Sequence, residues 1–161
     1  ATNINDVVPE YLRSSEYKPR PSAATISNAM DVGAPSNFAR MLELYGSDWP
    51  AMASQISGYA FGDCQTREAI REVHEKYGYV IDPHGAVGYL AGEEWLDQHP
   101  EDSVVILETA HPAKFSETIT EELGDKVLEI PQRLACLADE PKVSIPMIAS
   151  PEALISWLAD Q

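Results

Sequence analysis

Thr109, Ala110 and His111 come just after an apolar run, Ser103 to Leu107, and just before Pro112. If the run is a strand and Pro112 opens a helix, these three residues sit outside the carboxyl end of a strand, where open α/β sheets take their ligands. The N–H groups of the helix start and the Thr109 hydroxyl then present donors to an acceptor atom. The same spacing also suits Thr109 or His111 as a plain helix cap. His84 falls in the first turn of another helix, where the positive helix end disfavours a protonated imidazole, so it suits a site or simple packing. His74 and His99 have no partner pattern. A third candidate is the stretch from Ser22 to Phe38, dense in small polar residues, which reads as a functional loop or as capping segments rich in Ser, Asn and Asp. No HExxH, GxSxG or P-loop occurs, and Cys64 and Cys136 lack metal-ligand or CxxC spacing, so neither a metal site nor a disulfide framework is expected.

Several elements must position these residues. Asp6 can cap a short helix through about Leu12, and Tyr17-Lys-Pro-Arg-Pro21 forces loop over 15–24. Ser36 can cap a helix bearing Phe38, Met41, Leu42 and Tyr45, with Gly46 as its stop, and Ser47 with Pro50 starts another to about Ile56. Thr66 caps a helix ending at Gly78, and Asp82-Pro83 opens one to about Gln98 on which Gly85, Gly88 and Gly92 form a stripe. Such a stripe admits a close backbone or a flat ligand, tight helix-on-sheet packing being the commoner reason. Ser103–Leu107 reads as a strand buried on both faces, a helix bearing Phe115, Ile119 and Leu123 follows, and Lys126–Ile130 is a second strand, together a βαβ unit. Helices near 132–138 and 151–160 complete the chain. The fold class is therefore α/β, helix-rich, with a partial parallel sheet and flanking helices. So thin a sheet pairs with another copy or with strands that belong elsewhere in a longer polypeptide.

At 161 residues the chain fits one domain able to bury a sizeable core. Lys and Arg number 11 against 26 Asp and Glu, and the net charge of −15 repels phosphate backbones and anionic lipids, which excludes nucleic-acid binding. With 44% hydrophobic residues in periodic blocks the chain is expected to fold. The longest purely aliphatic run falls far short of the roughly 20 residues of a spanning helix. Neither membrane insertion nor secretion is expected, and the cytoplasm is the expected location. The sequence begins at Ala1 without Met and reads as though cut from something longer.

Four motifs carry a resemblance: Asn5-Asp-Val-Val-Pro9, then Thr25-Ile-Ser-Asn-Ala-Met-Asp-Val-Gly33 with Pro35-Ser-Asn-Phe38, then Asp82-Pro-His-Gly-Ala-Val-Gly-Tyr89, then Thr109-Ala-His-Pro-Ala-Lys-Phe115. In this order they resemble the threonine synthase family, and residues 1–161 look like its C-terminal portion, with late strands and helices of the cofactor-binding domain. The resemblance implies a pyridoxal-phosphate enzyme of the tryptophan-synthase-β type, fold type II. Such an enzyme eliminates phosphate from O-phospho-L-homoserine and adds water to give L-threonine. In that family the Schiff-base lysine and the phosphate-holding loop precede this region, so Lys114 is not that lysine and these residues alone should be inactive.

The resemblance places Thr109 against the pyridine nitrogen of the cofactor. It puts Gly85, Gly88 and His84 beside the ring, and Asn3, Asn5 and Asp6 on the same rim. Asn28, Asp31 and His111 are implied to line the substrate site. The alternative reading is a non-catalytic α/β interaction module, descended from such an enzyme, that self-associates through its incomplete sheet.

Overall fold

The computed structural model describes residues 1–137 and 139–160, which divide into two units, 1–129 and 130–161. In the first unit α1 (Val7–Ser14) follows Asp6 and ends at Ser15, whose left-handed backbone (φ 63°) closes it. A 3₁₀ turn (Asn28–Met30) precedes α2 (Phe38–Leu44) and α3 (Trp49–Gln55). Asp48, one residue after the expected Ser47, caps α3 by accepting from Ala51 N–H at 3.1 Å. The expected cap Ser36 gives way to Asn37 at the start of α2.

Next come α4 (Asp63–Tyr77) and α5 (Pro83–Gln98). The first starts before Thr66, because the Gln65 side chain accepts from Gly62 N–H at 3.1 Å and adds a turn. Thr66 is therefore inside the helix, its hydroxyl donating to the Gly62 carbonyl. Gly78, at φ +65°, ends α4 in the left-handed conformation that glycine adopts without strain. A short 3₁₀ turn (Pro112–Phe115) leads into α6 (Ser116–Leu123).

Two apolar clusters hold this unit. Ala69, Ile70 and Val73 of α4 meet Ile81, Ala86 and Tyr89 around α5 and Ile119 of α6. Tyr11, Leu12, Phe38 and Met52 join α1, α2 and α3, with Tyr17 stacked on Phe38 at 4.0 Å. Arg67 and Arg71 of α4 both reach Glu122 of α6. These ion pairs outweigh the upward push of burial and hold the Glu122 carboxyl below its ordinary value.

The expected sheet is absent among the described residues. Their one β pairing is a parallel bridge between Thr2 and Ala60, made by Thr2 N–H to Tyr59 O at 2.9 Å and Phe61 N–H to Thr2 O at 3.1 Å. Residues 103–107 and 126–130 carry no strand, so there is no βαβ unit. The physical reason is in the backbone: a parallel strand exists only through a neighbour's ladder, and among the described residues no backbone hydrogen bond reaches 103–110. The side chains keep a strand's alternation all the same. Val104 and Ile106 are 37% exposed while Val105 and Leu107 are above 80%. One face is therefore half covered and the other bare, where two buried faces were expected.

The half-covered face rests on the glycine stripe of α5. A Cβ at Gly88 would lie 3.1 Å from Ile106 Cγ2, and one at Gly92 3.1 Å from Val104 Cγ1. The stripe thus serves close packing of this segment. The second unit holds α7 (Gln132–Ala135) and α8 (Pro151–Ala159). The expected helix over 132–138 is described only as far as Ala135 within α7, and Ala138 lies outside the described residues. Ser150 caps α8 as expected, its hydroxyl accepting from Ala153 N–H at 3.1 Å. Among the described residues no helix is long and apolar enough to cross a membrane.

Candidate functional site

The start of α5 is where separated segments meet. Asp82 is fully buried and caps the helix: its Oδ1 accepts from His84 N–H at 2.8 Å and from His84 Nδ1 at 2.7 Å. His84 Nε2 accepts from Ala29 N–H at 3.1 Å, so the ring proton belongs on Nδ1. The imidazole thus bridges α5 and the 3₁₀ turn at 28–30, and it also lies 4.7 Å from the Phe115 ring. Residues of the second, third and fourth motifs converge on this one side chain.

The first motif joins them through Asn5, whose Nδ2 donates to Asp31 Oδ1 at 3.2 Å beside the buried amide of Asn3. Asn3 Nδ2 donates to Thr25 Oγ1 at 2.7 Å and to Asp31 Oδ1 at 2.8 Å. Asn5 Nδ2 donates to Asn3 Oδ1 at 2.8 Å and to Ala23 O at 2.9 Å, and Asn5 Oδ1 accepts from Ala23 N–H at 2.8 Å. Asp31 also accepts from Thr25 N–H and the Thr25 hydroxyl. Asn5 and Asp31 are therefore brought together, as loop scaffolding in this arrangement. Asn28 is exposed and borders a cleft of about 320 Å³ beside Lys114 and Phe115. Asp6 is drawn elsewhere, into ion pairs with Arg20 and Arg13. His111 is exposed and caps the 3₁₀ turn, its Nδ1 accepting from Ala113 N–H at 3.1 Å. Thr109 is exposed.

One residue not singled out from the sequence sits between Thr109 and this centre. The Glu108 carboxyl occupies the place of the missing Gly85 side chain, where a Cβ would lie 2.1 Å from its Oε2. Burial, together with the hydrogen bond and charge of Asp82, pushes the Glu108 carboxyl up to about 8. At Asp82 burial pushes upward as well, yet hydrogen bonds from Glu108 and from the His84 backbone and ring outweigh it and keep the carboxyl below its ordinary value. The available signal was an acid ending an apolar run next to Thr109; nothing in the spacing said that it meets Asp82.

A cleft of about 550 Å³ opens over the glycine stripe, bounded by Met30, Tyr59, His84, Trp95 and the 104–107 segment. No Lys or Arg lines it among the described residues.

Comparison with known proteins agrees with this convergence of motifs. A family model described as threonine synthase, C-terminal, matches residues 85–156. Threonine synthase of Escherichia coli is 40% identical over 145 residues, covering 89% of this chain and 32% of that protein. The chain belongs to the threonine synthase family. The crystal structure of the Escherichia coli member superposes with a TM-score of 0.81 at 38% identity, over 99% of this chain and 36% of that one. A PLP-bound threonine synthase from Brucella melitensis gives 0.70 at 30% identity, over 88% of this chain and 35% of that one. The chain spans about a third of the length of the family members it matches.

Proposed function

We propose that these residues are the C-terminal portion of a threonine synthase that converts O-phospho-L-homoserine and water to L-threonine and phosphate with pyridoxal phosphate. The observation that carries the reading is the meeting of all four resemblance motifs through Asn5, Asp31, Ala29, His84 and Phe115. Family members in this comparison include one named as PLP-bound.

The residues present fit one edge of that cofactor. Thr109 offers an exposed neutral hydroxyl, which can donate to an unprotonated ring nitrogen and fixes no charge on it. Among the described residues no Lys or Arg side chain lines the cleft over the glycine stripe, and this reading assigns the phosphate and the covalent anchor to parts of the enzyme outside these residues. When bound, the cofactor supplies stabilisation of negative charge developing on the substrate carbon. Thr109 holds its ring edge, the Asn5–Asp31 network shapes the loop carrying Asn28, and His84 ties that loop to α5. Asp6 and His111 flank the rim.

The test is threonine and phosphate formation from O-phospho-L-homoserine by the full-length protein. Activity is expected there, with kcat falling roughly tenfold in Thr109→Val for the loss of one hydrogen bond. The 161-residue chain by itself should form no threonine. Activity in the isolated chain, or none in the full-length protein, would overturn the reading.

A further inference from the structure

Asp82 Oδ2 and Glu108 Oε1 are both buried, and no hydrogen-bond donor among the described residues reaches either. Their carboxyls lie within hydrogen-bonding reach of one another. Two carboxylates left ionised there would repel without water to screen them, whereas one shared proton satisfies both orphaned oxygens. The Asp82 Oδ1 side is already committed to two N–H donors from His84, which favour its ionised form. The proton therefore resides on Glu108. The charged and titratable groups around it come from three places: Asp82 and His84 at the start of α5 with Tyr89 further along, Tyr79 just before it, and Tyr77 at the end of α4. Among the described residues none of these groups is a Lys or Arg that could replace the proton, and His84 is engaged as an acceptor through Nε2.

We propose that Glu108 is a positioning residue for Thr109: held as a neutral acid, it donates its proton to Asp82 and so fixes the end of the 103–108 segment on the first turn of α5. Among the described residues the backbone of 103–110 makes no backbone hydrogen bond, so this side-chain contact and the packing of Val104 and Ile106 are what hold it there. The space for the contact exists because residue 85 is glycine. The acid has no chemical step of its own; its proton stays between two carboxyls. A line of contacts then runs from Ala29 through His84 and Asp82 to Glu108, linking the Asn28 loop to the residue beside Thr109.

The role of Thr109 rests on the function proposed above; the proton on Glu108 does not, and the experiment separates them. Infrared difference spectra of the cofactor-free full-length protein against its Glu108→Gln variant should contain a protonated-carboxyl C=O band at neutral pH that disappears above about 8. Absence of that band at neutral pH would overturn the proposal. In the cofactor-loaded protein, the cofactor absorbance should shift over the same pH range in the unsubstituted protein and stay level in Glu108→Gln, which keeps a neutral donor. Glu108→Ala should weaken cofactor binding about tenfold, and Glu108→Gln should recover most of that loss. A band that titrates while absorbance and affinity ignore it would leave Glu108 without a positioning role and overturn the proposal. A full-length protein that takes up no cofactor would sink the function proposed for Thr109, and the positioning role with it, while the infrared band would still report the proton.

Discussion

At the residue scale the Asp82–Glu108 pair makes the protein's stability depend on pH in a defined direction. Glu108 rises from an ordinary 4.5 to about 8 in the folded chain, so the folded state holds a proton that the unfolded chain releases. Its contribution is complete below 4.5 and is lost as pH climbs toward 8. Asp82, lowered from 3.8, acts oppositely: its contribution is present above that value and is lost on acidification below it. In Glu108→Gln the alkaline loss should vanish. Urea midpoints measured across this range should move apart, the variant gaining on the parent as pH rises; parallel curves would refute the pair. Sequence reading found His84 and Asp82 through the Asp-Pro start signal, and it held capping open as a role for His111, which is what His111 does. It missed Glu108 because a buried acid is defined by the group opposite it, and residues 82 and 108 are brought together only by the path of the chain.

At the scale of elements, two glycines with different neighbours should respond differently to alanine. At Gly33 a Cβ would lie 1.8 Å from the Arg20 carbonyl oxygen, inside a clip in which Arg20 N–H donates to Gly33 O at 2.9 Å. Gly33→Ala should therefore cost about 2 kcal/mol by forcing the backbone apart. At Gly88 the added methyl meets only Ile106 Cγ2 at 3.1 Å, a side chain able to yield. The gain in helix propensity, up to about 1 kcal/mol, should leave Gly88→Ala near neutral. Thermal melts of the two variants check the contrast, and equal losses would contradict it. Helices were readable because their signals are local: Pro83 after Asp82, Gly78 after Tyr77, Pro151 after Ser150. Their starts drifted by a few residues where side chains competed for the cap, as with Gln65 ahead of Thr66. The strands were not settled by the run Val104–Leu107, since a strand needs a partner that its own residues do not specify.

At the scale of the whole molecule, the 103–110 backbone is where the proposed fragment reading can be tested. Its amides bond to no described backbone group. If strands elsewhere in a full-length protein complete a sheet with this segment, hydrogen exchange should find these amides unprotected in the isolated 161 residues and strongly slowed in the full-length protein. Fast exchange in both would dismiss that completion. Among the described residues no Lys or Arg lines the cleft over the glycine stripe, in keeping with a chain that carries −15.

The bare face of Val105 and Leu107 also has a practical consequence for handling the polypeptide. Val104 to Leu107 is β-branched or aliphatic throughout, uncharged and free of proline, with its edge open to any passing strand. Such a stretch is a template for cross-β adhesion. Expression of these residues apart from the rest of the protein should yield inclusion bodies unless a charge is introduced at position 105 or 107.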